Sequence, residues 1–224
     1  ELRLERVAVG DHILLGGDNM DLALARLLQQ RLEAEGHRID TWQLHALWHQ
    51  ARVGKERLFT DPNLPAHEVV VRGRGTRLVG GTIKTMLARE DLDRVVVDGF
   101  FPPVPRDAEP ARQRRVGFQE LGLAYAADAA VTRHLARFLN QPAGHAAGAG
   151  LVRRGPSGMA CPTRILFNGG VMKAAPLRQR LVSVVNDWLE AEGFAPLAEA
   201  DVLDAADLDL AVARGAAYYG RARR

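Results

Sequence analysis

The stretch GDHILLGGDNMD, residues 10–21, decides how the rest of this sequence is interpreted. Apolar and polar residues alternate over residues 2–9, which predicts a strand before the stretch. Gly16 and Gly17 then precede Asp18, a residue type that often caps helices, and leucines follow at helical spacing as far as Gly36. The sequence therefore predicts a strand, a glycine corner and a helix in succession.

The glycine corner is compatible with an anion site and with a plain turn. Glycines let a backbone approach a phosphate closely, and the amides at a helix N-terminus attract negative charge. Asp11, just before the corner, could hold a metal ion or its waters. Because an ordinary strand–turn–helix connection uses the same residue types, this corner alone leaves both interpretations open.

A second corner of the same kind occurs at Gly169-Gly170. A short buried strand is predicted over residues 164–167, and the helix after the corner has Pro176 in its first turn and ends at Gly193. A tight turn is the default interpretation here too. Two such corners in one α/β chain favour a nucleotide site more than one does, because nucleotides bind at the carboxyl ends of strands.

A helix predicted over residues 40–58 carries a third candidate, Lys55. This lysine follows Ala51 by four residues, on the line of the apolar stripe. A cation at the edge of an apolar face can lie along a planar ring or reach a cleft, although a surface lysine with a buried stem has the same pattern.

Further elements complete the predicted α/β pattern, because strands and helices alternate at both ends of the chain. The remaining predictions are strands at 69–71, 78–86 and 201–203, helices at 90–97, 125–139 and 208–219, and an exposed connection at 99–118.

Composition narrows the classes of function. The charged fraction is 25% and the net charge only +3, which is typical of a soluble globular protein. Arginine clusters at 112–115, 153–154 and 221–224 lack interleaved aromatic residues, so no specific nucleic-acid binding is expected. No apolar run approaches the roughly 20 residues of a membrane span. The single Cys161 excludes an internal disulfide, so a reducing, cytoplasmic location is expected.

Other common chemistries lack their motifs. Neither a phosphate-binding Gly-x-x-x-x-Gly-Lys loop nor a dinucleotide Gly-x-Gly-x-x-Gly turn occurs in the sequence. His45 and His49 stand four residues apart without a third metal ligand, and no histidine neighbours Cys161.

Four segments, in this order, resemble the nucleotide-binding domain of the 70-kDa heat-shock chaperones. Residues 16–21 are similar to its second phosphate loop, with Asp11 in the place of the acidic residue before it. Residues 52–58 are similar to its adenine-contacting helix, and Gly169-Gly170 with Lys173 to its adenosine motif. Residues 209–217, DLAVARGAA, resemble its closing helix and form the most specific match.

The resemblance implies a fold and a domain organisation. It implies an α/β, ribonuclease-H-like or actin-like ATPase lobe, here the second lobe of a divergent bacterial member, with a smaller α+β subdomain. The core would comprise residues 1–35 and 99–224, with residues 36–98 inserted. The first lobe's Asp-x-Gly-Thr phosphate loop does not occur in this sequence. Its catalytic lysine and the peptide-binding domain of the family have no counterpart either, so the chain is expected to be a piece of a longer protein.

The resemblance also implies ligands and partners. These would be ATP or ADP with Mg²⁺, the missing first lobe, and a client or co-chaperone. The chain alone would not hydrolyse ATP. The implied roles are phosphate contact by Gly16, Gly17 and Asp18, adenine contact by Arg52 and Lys55, nucleoside contact by Gly169, Gly170 and Lys173, proximity to phosphate for Asp209, and catalysis by Asp11 through metal-bound water.

Departures from the family pattern keep two alternatives open. Asn19 stands where the family has a second loop aspartate, and Glu56 and Phe59 alter the adenine helix. These changes suit a scaffold that has lost its nucleotide. A sugar or acetate kinase shares the fold and the glycine corners, although the closing helix favours the chaperone branch.

Overall fold

The computed structural model describes residues 5–73, 81–111, 128–142, 150–203 and 207–223. The chain divides into two compact units, a smaller unit of Leu15–Pro102 and a larger unit that joins Glu1–Leu14 to Pro103–Arg224. Helices and short sheets occur together, so the predicted mixed α/β class is confirmed at that level.

The smaller unit consists of two helices, a hairpin and a short helical segment. Helix α1 spans Gly17–Ala34 and α2 spans Thr41–Thr60, close to their predicted limits. Strands β1 (Ala66–Arg72) and β2 (Thr82–Ala88) pair antiparallel, from Ala66 opposite Ala88 to Arg72 opposite Thr82. The chain then enters α3 (Arg89–Leu92) and continues through a π-helical segment, Asp93–Val97, and a last turn, Asp98–Phe100.

Helix α2 begins at a reciprocal pair of capping hydrogen bonds. The Asp40 carboxylate accepts a hydrogen bond from the Gln43 amide at 2.8 Å, and the Gln43 side chain accepts one from the Asp40 amide at 3.1 Å. This reciprocal pair satisfies two amides that lack helical acceptors. Gln43 also donates to the carbonyl of Arg72 at 3.0 Å, which ties the start of α2 to the end of β1.

The core of the smaller unit lies between its helices and the inner face of the hairpin. Two alternate residues of each strand are buried there, Val69 and Val71 in β1 and Thr85 and Leu87 in β2, as expected for half-buried strands. The fully buried side chains include Leu24, Leu28, Leu32, Leu47, Leu58, Val69 and Leu87.

Helix α1 belongs to the smaller unit, whereas the predicted organisation placed residues 1–35 in the core and began the insertion at residue 36. The physical reason is burial: Leu24, Leu28 and Leu32 are completely buried, and α1 packs along α2. The unit also extends past the predicted end at residue 98, as far as Pro102.

The larger unit contains α4 (Val131–Leu139), α5 (Ala175–Ala191) and α6 (Ala211–Ala222). Strands β3 (Ile165–Leu166) and β4 (Val202–Leu203) form a parallel pair. The Trp188 indole donates to the carbonyl of Val104 at 2.7 Å. The buried cluster of this unit comprises Ala136, Leu139, Met159, Cys161, Val184, Val185, Trp188 and Leu189.

Several predicted elements differ in the larger unit. Residues 5–9 form no strand, although one was predicted over 2–9, because they have no partner strand in the described residues. Residues 1–4 lie outside the description. The helix predicted over 125–139 begins only at Val131, since the Asp128 carboxylate accepts the Ala130 amide at 2.8 Å and holds a turn there. Residues 125–127 lie outside the described part.

The last helix also starts later than predicted. Asp207 accepts hydrogen bonds from the amides of Asp209 and Leu210, at 2.9 and 3.2 Å, and this turn delays the helix to Ala211. The second hairpin strand, predicted over 78–86, is observed as Thr82–Ala88, and residues 78–80 lie outside the described part. In the described segments, no helix has both the length and the apolar character to cross a membrane.

Candidate functional site

The first glycine corner forms the start of α1 in the smaller unit. Gly16 is extended and caps the helix, and its carbonyl accepts hydrogen bonds from the amides of Asn19 and Met20 at 3.1 and 3.4 Å. A Cβ placed on Gly16 would meet no described atom within 4 Å. The described residues therefore leave space beside the Cα of Gly16. Asp18 lies exposed in the first helical turn.

Asn19 has a capping role at this corner. Its side-chain oxygen accepts a hydrogen bond from the Gly16 amide at 2.8 Å. Asparagine serves this purpose as an aspartate would, without adding negative charge at the helix start. The residue that departs from the family pattern thus stabilises the corner.

Lys55 reaches the same corner from α2. Its ammonium nitrogen lies 2.6 Å from Asp21 Oδ1 and 3.4 Å from the Gly17 carbonyl oxygen. Only 8% of the residue is exposed, so the lysine is buried and does not extend into solvent. The structure therefore brings together two of the predicted segments, the glycine corner and the adenine helix.

Asp21 was not among the predicted site residues. It is 2% exposed, and burial raises the pKa of its carboxyl group although Lys55 opposes that shift. A signal was present in the sequence, because Asp21 precedes Leu24, Ala25 and Leu28 at helical spacing and so stands on an apolar stripe. A carboxylate at such a position needs a buried cation as its partner.

Arg52 lies one turn before Lys55 and is exposed. Its guanidinium pairs with Glu56 at 3.1 Å, and Glu56 raises the pKa of Arg52. Both side chains are more than half exposed, so this pair contributes little to stability. The guanidinium remains able to lie against a planar ligand.

The second glycine corner lies in the larger unit and leads into a short 3₁₀ turn, Gly170–Lys173. Gly169 has φ +88° and ψ 153°, a backbone conformation essentially restricted to glycine. A Cβ on Gly170 would meet Asp209 Oδ1 at 3.5 Å, and Lys173 forms an ion pair with Asp209 Oδ2. Three predicted residues from the adenosine motif and the closing helix are thus neighbours.

Asp209 is held in place by the turn before α6. The Asp207 carboxylate accepts the backbone amides of Asp209 and Leu210, and these hydrogen bonds lower the pKa of Asp207. Lys173 and Asp209 are each more than half exposed. A small polar patch therefore forms beside Gly170 at the surface of the larger unit.

Asp11 also belongs to the larger unit, and two-thirds of its side chain is exposed. It pairs with Arg137 of α4 at 3.4 Å. Among the described residues, no group of three or more histidine, cysteine or acidic side chains could hold a metal ion. A single carboxylate such as Asp11 could serve Mg²⁺ through retained water, with phosphates as the other ligands.

The described residues therefore form two separate groups of predicted site residues, one in each unit. The smaller unit joins Gly16 and Gly17 to Lys55, and the larger unit joins Gly170 and Lys173 to Asp209. No family model and no curated protein matched this chain when it was compared with known families and proteins.

Proposed function

We propose that this chain is the ATP-binding lobe of an actin-like ATPase related to the 70-kDa heat-shock chaperones, and that it does not hydrolyse ATP by itself. The observation that carries the proposal is the contact of Lys55 with the Gly17 carbonyl and Asp21. Two segments that the resemblance assigns to one nucleotide adjoin in the smaller unit. The grouping of Gly170, Lys173 and Asp209 gives independent support in the larger unit.

The phosphates would lie at the first corner. The first amides of α1 have no acceptor within the helix, and the positive end of the helix dipole favours an anion there. Gly16, Gly17 and Asp18 would supply this backbone, which is open beside Gly16. Asp11 would hold Mg²⁺ through water. When bound with ATP, this ion would neutralise part of the phosphate charge.

The remaining candidates would contact the nucleoside. Arg52 offers an exposed planar cation, and Lys55 stands beside it with its ammonium bound to Asp21. Gly169, Gly170 and Lys173 would bound the sugar, with Asp209 near the phosphates. In the proposed mechanism these residues bind and orient the nucleotide, while the first lobe supplies the hydrolytic groups. The proposal extends to a cytoplasmic chaperone with client or co-chaperone partners.

Calorimetric titration of Mg²⁺-ATP tests the proposal. We expect saturable heat with the full-length protein and little or none with residues 1–224, because half of the phosphate contacts would come from the first lobe. Absence of heat with a folded full-length protein would overturn the nucleotide assignment. Robust ATP turnover by residues 1–224 alone would contradict the proposed dependence on that lobe.

A paired substitution locates the site. Gly170→Ala adds a methyl group beside Asp209 at an ordinary contact distance, so the fold tolerates it. In the full-length protein, we expect this substitution to weaken ATP binding by about tenfold, since the methyl group would occupy space that the nucleoside needs. Gly220→Ala on α6 is the control, because its methyl group would meet no described atom within 4 Å. Equal affinities of the two variants would argue against a site at Gly170.

A scaffold that has lost its nucleotide is the second candidate. It is favoured by the internal pairing of the charges that would serve the nucleotide, Lys55 with Asp21 and Asp11 with Arg137. The same titration distinguishes the two functions, because a scaffold would give no heat. A scaffold would also keep its activity when Lys55 and Gly170 are substituted.

A further inference from the structure

We propose that Asp21 is a positioning residue that fixes the first glycine corner to α2 through Lys55. The inference deepens the proposed function and rests on it, because it concerns how the corner would present its backbone to phosphate. Asp21 itself is almost fully buried and would not touch a nucleotide.

The geometry of the peptide group explains how Lys55 would act. Lys55 Nζ lies 3.4 Å from the carbonyl oxygen of Gly17. The peptide bond is planar, so a fixed Gly17 carbonyl also fixes the Asp18 amide on the opposite side of the same group. That amide is among the first of α1, where an anion would bind. A cation on the carbonyl also polarises the amide.

The flexibility of the corner makes such an anchor useful. Two successive glycines have more backbone freedom than any other pair, and a loosely held corner would lose that freedom on binding phosphate. Asp21 is placed one turn into the same helix and holds the Lys55 ammonium at 2.6 Å. The ion pair therefore connects the helix body, the corner and α2.

Stability alone gives little reason for this pair. Both side chains are at least nine-tenths buried, with exposures of 10% for Lys55 and 2% for Asp21. A buried ion pair often contributes no more than apolar residues of similar volume would, because both charges must be stripped of water. A role in fixing geometry accounts for the pair better than a contribution to folding.

The first test measures the corner in residues 1–224. Asp21→Asn keeps the shape of the side chain and removes its charge. We expect amide hydrogen exchange at Asn19 and Met20, both bonded to Gly16, to become at least about tenfold faster, while amides in the middle of α1 keep their protection. Glu68→Gln is the matched control, because it makes the same chemical change in the exposed Glu68–Lys84 pair of the hairpin.

A second variant guards against simple misfolding. Asp21→Asn leaves Lys55 buried without its partner, so the double variant Asp21→Asn with Lys55→Met removes both charges. We expect this double variant to remain folded and to show the same fast exchange at the corner. Unchanged exchange at Asn19 and Met20 in both variants would overturn the positioning role.

The final test connects positioning to ligand binding in the full-length protein. We expect Asp21→Asn to weaken ADP binding about tenfold and to change the affinity for adenosine by no more than about twofold. The reason is that the corner would contact phosphates, which ADP has and adenosine lacks. Equal loss for both ligands would show a general structural defect and overturn the inference. Absence of nucleotide binding by the unsubstituted protein would instead overturn the proposed function, and the exchange result would then decide the positioning role alone.

Discussion

At the residue scale, two carboxylates of the larger unit are held by several donors each. Glu192 accepts the Ser157 amide at 3.0 Å and pairs with Arg106 at 2.6 Å, and the hydrogen bonds from Ser157 are the main reason that the pKa of Glu192 is lowered. Burial by itself would raise the pKa of Asp128. Hydrogen bonds from the backbone and the pairing with Arg133 outweigh burial and lower it.

These lowered pKa values predict that the larger unit loses stability in acid. A carboxyl group with a lowered native pKa contributes stability that is fully present above its ordinary pKa and is lost as pH falls through the native value. The ordinary pKa values are 3.8 for Asp128 and 4.5 for Glu192. The urea concentration at the midpoint of unfolding should therefore decrease as the pH is lowered from 4.5. The NMR signal of the Trp188 indole reports on this unit, because it donates to Val104.

Glu192→Gln is the diagnostic variant for this prediction. It should lower the midpoint at neutral pH and make the decline in acid shallower, since the variant has one fewer carboxylate to protonate. A decline as steep as that of the unsubstituted chain would show that Glu192 does not contribute to the acid sensitivity.

At the element scale, α2 approaches the hairpin closely at Gly54. A Cβ on this glycine would lie 2.9 Å from His67 Cδ2 and 3.0 Å from Leu87 Cδ2. The first distance is shorter than real Cβ contacts and the second is at the limit, so a side chain at Gly54 would require His67 or Leu87 to shift.

Gly54→Ala should therefore destabilise the smaller unit. Alanine favours a helix over glycine by about 1 kcal/mol, but overpacking costs typically about 1–3 kcal/mol, so the net change should be a loss. Gly220→Ala, on the exposed α6, should be stabilising, because it has the higher helix propensity of alanine without overpacking. Urea unfolding of both variants tests the comparison, and a higher midpoint for Gly54→Ala than for the unsubstituted chain would contradict it.

At the scale of the whole molecule, each unit has its own hydrophobic core. The buried leucines of α1 and α2 pack with β1 and β2 within Leu15–Pro102, and the cluster around Trp188 lies entirely in the larger unit. A unit with its own core and internal hydrogen bonds meets the physical requirement for independent folding.

We therefore expect residues 15–102 to fold when expressed alone. Their amide NMR signals should be dispersed and should superimpose on those of the same residues in the complete chain, apart from residues next to the cuts. A collapsed spectrum typical of an unfolded chain would show that the smaller unit depends on the larger one.

The sequence by itself determined the local structure of this protein. The leucine spacing of α1, the apolar stripe of α2 and the glycine pairs depend on residues within a few positions of one another, and each predicted its element to within a few residues. The positions of the two glycine corners were predictable for the same reason. The strand predicted over residues 2–9 failed in its described part because a strand needs a partner, which alternation alone does not supply.

Only the tertiary structure decided which distant residues meet. The membership of α1 in the smaller unit depends on its packing with α2. Lys55 pairs with Asp21 and Lys173 pairs with Asp209, although these partners are 34 and 36 positions apart in the sequence. Such contacts are set by how elements distant in the chain pack together, which leaves no periodic signal in the sequence. Asp21 stood on an apolar stripe as a hint of its burial, but only the fold identified its partner.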